Sequence, residues 1–331
     1  MGYNEHMSQR RSIMWFRRDL RLGDHPALLA AGSDGAEVVP VFVVDPAFAA
    51  AGAPRLAYLH DCLLALGADL RERTGTGLII RHGKPADEIP RLATEVGADT
   101  VFVSRDYGPY GRRRDAAVAD LRRRDDRGVK GVGSPYAVPP GSVRKGDGDP
   151  YAVFTPFSRL WRRVGWEAPF GSADDGRLVD GGVRSGQLPD RPGPGCDLPP
   201  AGEAAALDQW REFRHAALGD YPDDRDRPAL DGTSRLSPAL KWGTIHPRTL
   251  LADLDASGAG SAAHTVFSSE LAWREFYADV LFQQPRTAWE NLNGKMVAMP
   301  VDTDAAARAR FDRWTAGETG FGIVDAGMRQ L

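Results

Sequence analysis

Cysteine is all but missing from this chain. Cys62 and Cys196 are the only two among 331 residues. They are too few and too far apart for a disulfide scaffold or a structural zinc site, and such sparse thiols fit a reducing, cytoplasmic setting. Long apolar runs are missing as well: no stretch of about 18 apolar residues offers a membrane span. The polar start, Met1 to Arg11, lacks the apolar segment of a secretion signal. The 7 histidines are scattered without metal-ligand spacing, so no metal is expected. A dominant charge is missing too. The net charge of -3 gives no bulk argument for nucleic acid, although binding needs only a local basic face. The densest basic runs, Arg112–Arg114 and Arg122–Arg124, are interleaved with Asp115, Asp120, Asp125 and Asp126, which reads as solvated helix surface. Finally, no Gly-x-Gly-x-x-Gly follows the first apolar run. Arg17-Arg18-Asp19-Leu20-Arg21-Leu22-Gly23-Asp24 stands there, which argues against an ordinary dinucleotide fold.

What is present begins with alternation. Short runs rich in Val, Ile and Phe, at Ser12 to Phe16, Val38 to Val44, Leu78 to His82 and Thr100 to Ser104, read as buried strands. Helical patterns separate them at Pro26 to Ala31, Arg55 to Arg73, Pro85 to Val96 and Gly111 to Arg124. Asp24 followed by Pro26 reads as a cap and helix start, and Gly97 as a helix end. This alternation predicts an α/β doubly wound parallel sheet with sites at the carboxyl ends of its strands. From Gly131 to Pro200, Gly, Pro and Asp dominate. That stretch reads as a long connection draped over the surface, anchored by Tyr151, Phe154, Phe157 and Trp161. Beyond Ala201 every periodic segment is helical: Ala204 to Leu218, Pro238 to Leu240, Pro247 to Leu254, Ala262 to Leu281 and Asp304 to Thr315. The expected division is 1–134 α/β, 135–200 linker and 201–331 all-α.

Two segments carry chemistry. Thr233-Ser234-Arg235-Leu236-Ser237-Pro238 places three hydroxyls and a guanidinium just before a helical stretch. Such a set suits a phosphate, or simply a helix N-cap. In Glu270-Leu271-Ala272-Trp273-Arg274-Glu275-Phe276-Tyr277 the residues Glu270, Trp273, Arg274 and Tyr277 fall at i, i+3, i+4 and i+7 and share a face. Phe267, Leu271, Ala278 and Leu281 supply the opposite, core-facing stripe. A carboxylate, an indole, a cation and a phenol together suit a flat polar ligand. They also suit a wet aromatic helix face.

Together these segments closely resemble the flavin and substrate region of the DNA photolyase/cryptochrome family. The strings Trp15 to Asp24, Ser104 to Gly111, Tyr221 with Arg225, and Trp314 to Leu331 resemble further blocks of it, with Gly322 where proline is more usual. The resemblance implies a helical FAD-binding domain in which Tyr221, Thr233, Ser234, Arg235, Leu236, Ser237, Phe267 and Arg274 touch FAD. It implies that Glu270 and Trp273 are catalytic. Arg225, Glu270, Trp273, Arg274 and Tyr277 would contact DNA containing pyrimidine dimers. A flipped dimer is read by stacking and by hydrogen bonds to its polar edges. The implied activity is light-driven reversal of cyclobutane pyrimidine dimers by electron transfer from reduced FAD, a carbon–carbon lyase reaction, by a monomer. The alternatives are a cryptochrome-type photoreceptor or an inactive fragment. Repair of the other common photoproduct would call for histidines facing the dimer, and neither His246 nor His264 lies in a segment that can be placed there. An antenna chromophore is implied near Arg55, Arg105 and Asp106, with 8-hydroxy-5-deazaflavin favoured over methenyltetrahydrofolate. The resemblance spans the whole chain but only the earlier part of a family member. The His-Asn-Arg helix and later flavin-pocket blocks are not in the sequence, so the expectation is a C-terminally truncated helical domain.

Overall fold

A computed structural model describes residues 10–124, 128–173, 177–258 and 261–330. Asp125 and Asp126 lie outside the described residues. By packing, the residues up to Pro285 form one compact unit and those from Arg286 form a second.

Five strands build a parallel sheet: β1 (Arg11–Phe16), β2 (Glu37–Val44), β3 (Ile79–His82), β4 (Thr100–Val103) and β5 (Gly128–Gly131), in the order β3-β2-β1-β4-β5. The first four coincide with the apolar runs, as expected of strands buried on both faces. β5 does not, because Gly-Val-Lys-Gly carries almost no apolar signal, and its strand character comes from pairing with β4. The crossover helices are α1 (Pro26–Ala31), α2 (Ala53–Thr74), α3 (Pro85–Glu95) and α4 (Pro109–Arg124). Side chains alternate along β1. Ile13 and Trp15 pack with Ile89, Leu92 and Val118, while Met14 and Phe16 pack with Leu28, Tyr58 and Leu66. The strand order reverses between β1 and β4, so the crevice for a ligand lies beyond Phe16 and Val103.

The Gly/Pro-rich connection contains α5 (Phe154–Val164), which its composition does not announce. Phe157 and Trp161 are buried anchors, as expected, with Tyr151 and Phe154 packed beside them. Further on, the connection covers the sheet: Val179 N donates to Val38 O at 3.0 Å, and Gly186 N to Ile80 O at 2.9 Å. Helices α6 (Glu203–Ala216), α7 (Tyr221–Asp224), α8 (Ser237–Trp242), α9 (Pro247–Gly258) and α10 (Ala262–Gln283) then surround a core that includes Trp161, Trp210, Leu250, Leu251, Phe267 and Leu271. None of the described helices is long and apolar enough to cross a membrane. In the second unit, Asp304 caps α11 (Ala305–Thr315) by accepting from Ala307 N at 2.7 Å. Asp325 of α12 (Gly322–Gln330) accepts from Thr319 N at 2.7 Å and Gly320 N at 2.9 Å.

The loop after β1 is the junction between sheet and helices. Leu20 N donates to Trp242 O at 3.1 Å, and the Arg21 guanidinium to Gly243 O at 3.0 Å. Leu22 N and Gly23 N donate to the Glu203 carboxylate at 2.7 and 2.9 Å. Gly243 has φ 68°, and a Cβ there would lie 2.1 Å from the Arg18 carbonyl oxygen, so only glycine permits this approach. Asp24 is not the cap of α1. His25 is, its Nδ1 accepting from Leu28 N at 3.2 Å. Asp24 has φ 45°, a conformation short polar side chains tolerate, and turns its buried carboxylate across the junction. It accepts from Arg248 at 2.7 Å, Phe170 N at 2.8 Å and Thr249 Oγ1 at 3.4 Å. His246 lies beneath, accepting from Arg248 N at 3.1 Å on Nδ1, with Nε2 2.8 Å from Ser134 O. Nε2 therefore carries the proton and the ring is neutral. Burial first, then the charges of Arg21 and Arg248, hold the His246 pKa well below 6.5.

Replacing Asp24 with Asn should strand the buried Arg248 charge. We expect a loss of about 3–5 kcal/mol in urea unfolding, followed by fluorescence of the buried Trp15, Trp161 and Trp210. An effect under about 1 kcal/mol would refute the junction's role. His246 also predicts a pH dependence. Its folded-state pKa is lowered, so the unfolded chain binds the proton more readily. Stability is then fully present above about pH 6.5 and falls below it. His246→Gln should flatten the curve between roughly pH 6.5 and 5, and an unchanged curve would count against it.

Candidate functional site

Ser261 caps α10 by accepting from His264 N at 3.1 Å, and the helix runs for 22 residues. Its buried face is Phe267, Ser268, Leu271, Ala272, Glu275, Phe276 and Asp279. Ala278 and Leu281, expected in the core, are only half-buried. That face carries instead a pair of buried carboxylates to which sequence reasoning assigns no role. Glu275 accepts from Ala137 N at 2.5 Å, Val138 N at 2.9 Å and Trp161 Nε1 at 2.6 Å. Asp279 accepts from Gly141 N at 2.6 Å. Burial pushes the Glu275 carboxyl up, and the hydrogen bonds from Trp161 and Val138 oppose that push. A segment without regular structure, 137–141, is thereby bound to the helix through its own backbone.

The four residues expected on one face divide. At about 100° per residue, positions i+3 and i+4 flank position i on opposite sides. Trp273 leans toward the connection, where Phe154 stacks on its indole at 3.6 Å between ring centroids and 8° between planes. Tyr277, 64% exposed, lies 5.6 Å from Trp273 on the same side. Arg274 turns the other way. It donates to Pro135 O at 3.2 Å and Leu240 O at 3.0 Å and lies over the Tyr136 ring. Glu270 meets Arg225 instead, Nη1 to Oε1 2.5 Å. Arg225 follows α7 and sits 5.7 Å above the Tyr221 ring. Tyr221 is buried against Phe213 and Phe267, its centroid 5.4 Å from that of Phe267. Phe154 is a further member of this surface that the sequence marks only as a linker anchor.

The Thr233–Ser237 segment enters α8 at Leu236, which is buried in the same cluster as Tyr221 and Phe267. No side chain caps α8, so the simple cap reading of this segment is not realised. Ser234 O accepts from Gln209 Nε2 at 2.7 Å. Arg235 has φ 49° and pairs with Asp231 at 2.9 Å, while Thr233 and Ser237 are exposed. A phosphate here would meet exposed hydroxyls that the fold does not use for capping.

The remaining expected residues gather at the carboxyl end of the sheet. A depression of about 10 Å³ is lined by Arg17, Arg18, Asp19, Ser104, Arg105, Asp106 and Pro135. That is room for a water molecule and not for a ring system. Arg114 is not solvated helix surface: it pairs with Asp106 at 3.3 Å and Asp115 at 2.8 Å and lies over Trp15. Arg112 lies over the Phe282 ring. The charge of Arg18, then burial, then Arg55 push Lys241 down to about 8. Arg55 and Asp106 thus act on one lysine, although Arg55 does not line the depression. His246 is buried in the junction and His264 pairs with Asp255 at 2.9 Å. A separate hollow, lined by Arg286 to Asn291 and Val297, lies in the second unit and holds none of these residues.

Comparison with known proteins places these features in context. Residues 12–172 match the family model described as DNA photolyase, and residues 267–331 match the FAD binding domain of DNA photolyase. The deoxyribodipyrimidine photo-lyase of Streptomyces griseus is 37% identical over 97% of this chain and 70% of its own length. Among solved structures, a bacterial class III photolyase from Agrobacterium tumefaciens superposes with TM-score 0.88 at 32% identity, covering 100% of this chain and 70% of that one. An archaeal photolyase from Sulfolobus tokodaii, described with two FAD molecules that imply a novel light-harvesting cofactor, gives TM-score 0.76 at 25% identity over 96% of this chain and 70% of that one.

The two neighbouring glutamates of α10 make opposite predictions. Glu275→Gln turns an N–H toward backbone donors and should cost about 1–3 kcal/mol, with a change in Trp161 fluorescence. Glu270→Gln breaks a half-exposed ion pair and should cost under about 1 kcal/mol. Equal costs in urea unfolding would contradict this assignment of buried and surface roles.

Proposed function

The chain belongs to the DNA photolyase family, and from that premise we propose that it acts in light-driven repair of cyclobutane pyrimidine dimers in DNA with reduced FAD as its cofactor. The observation that carries this reading is the surface of α10: Trp273 and Tyr277 project together while Glu270 stands beside Arg225. FAD, when bound, supplies the electron that opens the cyclobutane ring. The protein supplies binding and orientation. Trp273, held flat by Phe154, is the stacking platform for a flipped base, a contact worth about 1–3 kcal/mol per base. Glu270 accepts hydrogen bonds from the N–H edge of the dimer. Arg225 meets the DNA backbone, with the salt dependence that phosphate contacts bring.

The residues fit FAD through their donor set. Thr233, Ser234 and Ser237 donate hydroxyls to phosphate oxygens, and Arg235 supplies charge. Tyr221, Leu236 and Phe267 form the apolar floor below them. Arg274 supports that region from beneath by binding the Leu240 carbonyl, a different role from direct neutralisation of a phosphate. For a second chromophore, the charges of Arg18, Arg55, Arg105 and Lys241 favour an anionic group at the carboxyl end of the sheet. Our preference there is 8-hydroxy-5-deazaflavin, whose ring hydroxyl ionises. The small depression there must widen before a ring enters.

The test is reconstitution of the full chain with FAD, reduction of the bound flavin with dithionite without oxygen, then illumination with a dimer-containing oligonucleotide. We expect a yellow complex and recovery of the ultraviolet absorbance of the separated pyrimidines. Trp273→Ala should weaken binding of the dimer by about 5- to 150-fold and leave FAD binding unchanged. Ser237→Ala should loosen FAD by about tenfold or more, the worth of a hydrogen bond to a charged group. A colourless protein after reconstitution would overturn the proposal.

A further inference from the structure

Arg225 is claimed twice. The functional reading gives it a DNA phosphate, and the structure gives it the Glu270 carboxylate at 2.5 Å. One guanidinium edge cannot serve both. We propose that the Arg225–Glu270 pair is an exchange latch: it closes in the DNA-free protein, and a backbone phosphate opens it by taking Arg225, which releases Glu270 toward the flipped dimer. Arg225 is in this sense a positioning residue for Glu270. The inference rests on the repair reading and deepens it at the same site.

Three observations support the latch. First, the pair is accessible, with 30% of the Arg225 side chain and 36% of the Glu270 side chain exposed. Half-exposed pairs of this kind shift an equilibrium by about fivefold or less, so a phosphate can displace the carboxylate at small cost. Second, the guanidinium is held for reuse rather than consumed. It sits over Tyr221 at 5.7 Å, and its Nε lies 3.7 Å from Asp226, which is 85% exposed. When Glu270 lets go, these contacts keep Arg225 in place. Third, its surroundings are acidic. The stretch 220–227 contains Asp220, Asp223, Asp224 and Asp226 against Arg225 and Arg227, and Arg227 is paired with Asp224 at 3.2 Å. Attraction of phosphate to this patch therefore depends on Arg225, and Glu270 opposes it until the pair opens. Undamaged DNA opens the latch and gains nothing from the freed carboxylate. A dimer gains its hydrogen bonds, so the latch converts one ion pair into discrimination between the two.

The test uses the full chain and a short duplex without damage, with binding followed by fluorescence anisotropy at several salt concentrations. Glu270→Gln should tighten binding to undamaged duplex by about two- to fivefold, because the phosphate no longer competes with a carboxylate. In an Arg225→Gln background the same change should do nothing. The salt slope should be equal in the parent and in Glu270→Gln, since both end with Arg225 on a phosphate. In Arg225→Gln it should be shallower by about one unit. Arg225→Lys keeps the charge and should retain most of the slope, and thermal melting checks that every variant is folded. The latch is overturned if the Glu270→Gln gain persists in the Arg225→Gln background, which would mark a through-space effect of one fewer negative charge. It is equally overturned if the parent binds the duplex and Glu270→Gln leaves its affinity unchanged. A parent chain that does not bind duplex at all contradicts the repair reading itself, and the latch falls with it.

Discussion

Helix α10 carries a carboxylate where its core-facing stripe calls for hydrocarbon. Glu275 is 1% exposed, and taking such a group out of water costs several kcal/mol unless donors meet it. Three do: two backbone N–H groups from Ala137 and Val138 and the indole N–H of Trp161. These bonds fix the rotation of α10 about its own axis. A slip of one residue would turn the helix by about 100°, carrying Glu270 and Trp273 off the surface they share. The apolar neighbours Phe267, Leu271 and Phe276 alone would tolerate small rotations, since apolar packing is non-directional. The carboxylate is what makes the orientation single-valued, with Asp279 repeating the device one turn later at Gly141.

The same logic governs the junction with the sheet. Asp24 gathers the Phe170 amide from the connection and the adjacent Arg248 and Thr249 from the helical region. The β1 loop thus reads as a structural coupling rather than as a ligand loop. Its arginines divide accordingly. Arg21 is spent on backbone carbonyls, Arg17 on Asp115 and Ser104, and Arg18 is left to act on Lys241 and Asp106. This leaves the cationic character of the sheet's carboxyl end to few side chains, and sets Arg225, on the α7–α10 surface, among acidic neighbours.

The fold was largely legible because its strands are buried on both faces and advertise themselves as apolar runs. β5 was not, since two glycines and a lysine say nothing until a neighbouring strand pairs with them. The site was legible in part. The spacing of Glu270, Trp273 and Tyr277 marks a helix surface correctly, but a spacing of i to i+4 spans an arc wide enough for Arg274 to sink on the far side. Asp24 reads as a helix cap because Asp before Pro is a common cap pattern, and only the tertiary pull of Arg248 turns it away. Glu275 and Asp279 were illegible in principle. A lone carboxylate in a helix reads as solvent-facing, and the amides that bury it come from more than 130 residues earlier in the chain.

The central claim, that buried carboxylates hold an irregular segment and thereby orient α10, is open to native-state hydrogen exchange. The amides of Ala137, Val138 and Gly141 belong to no strand or helix, yet they should exchange nearly as slowly as the interior amides of α10, because they open only when the core opens. In Glu275→Gln the first two should speed up together while Gly141 stays slow. Exchange of all three at the rate of an exposed loop in the parent protein would contradict the account.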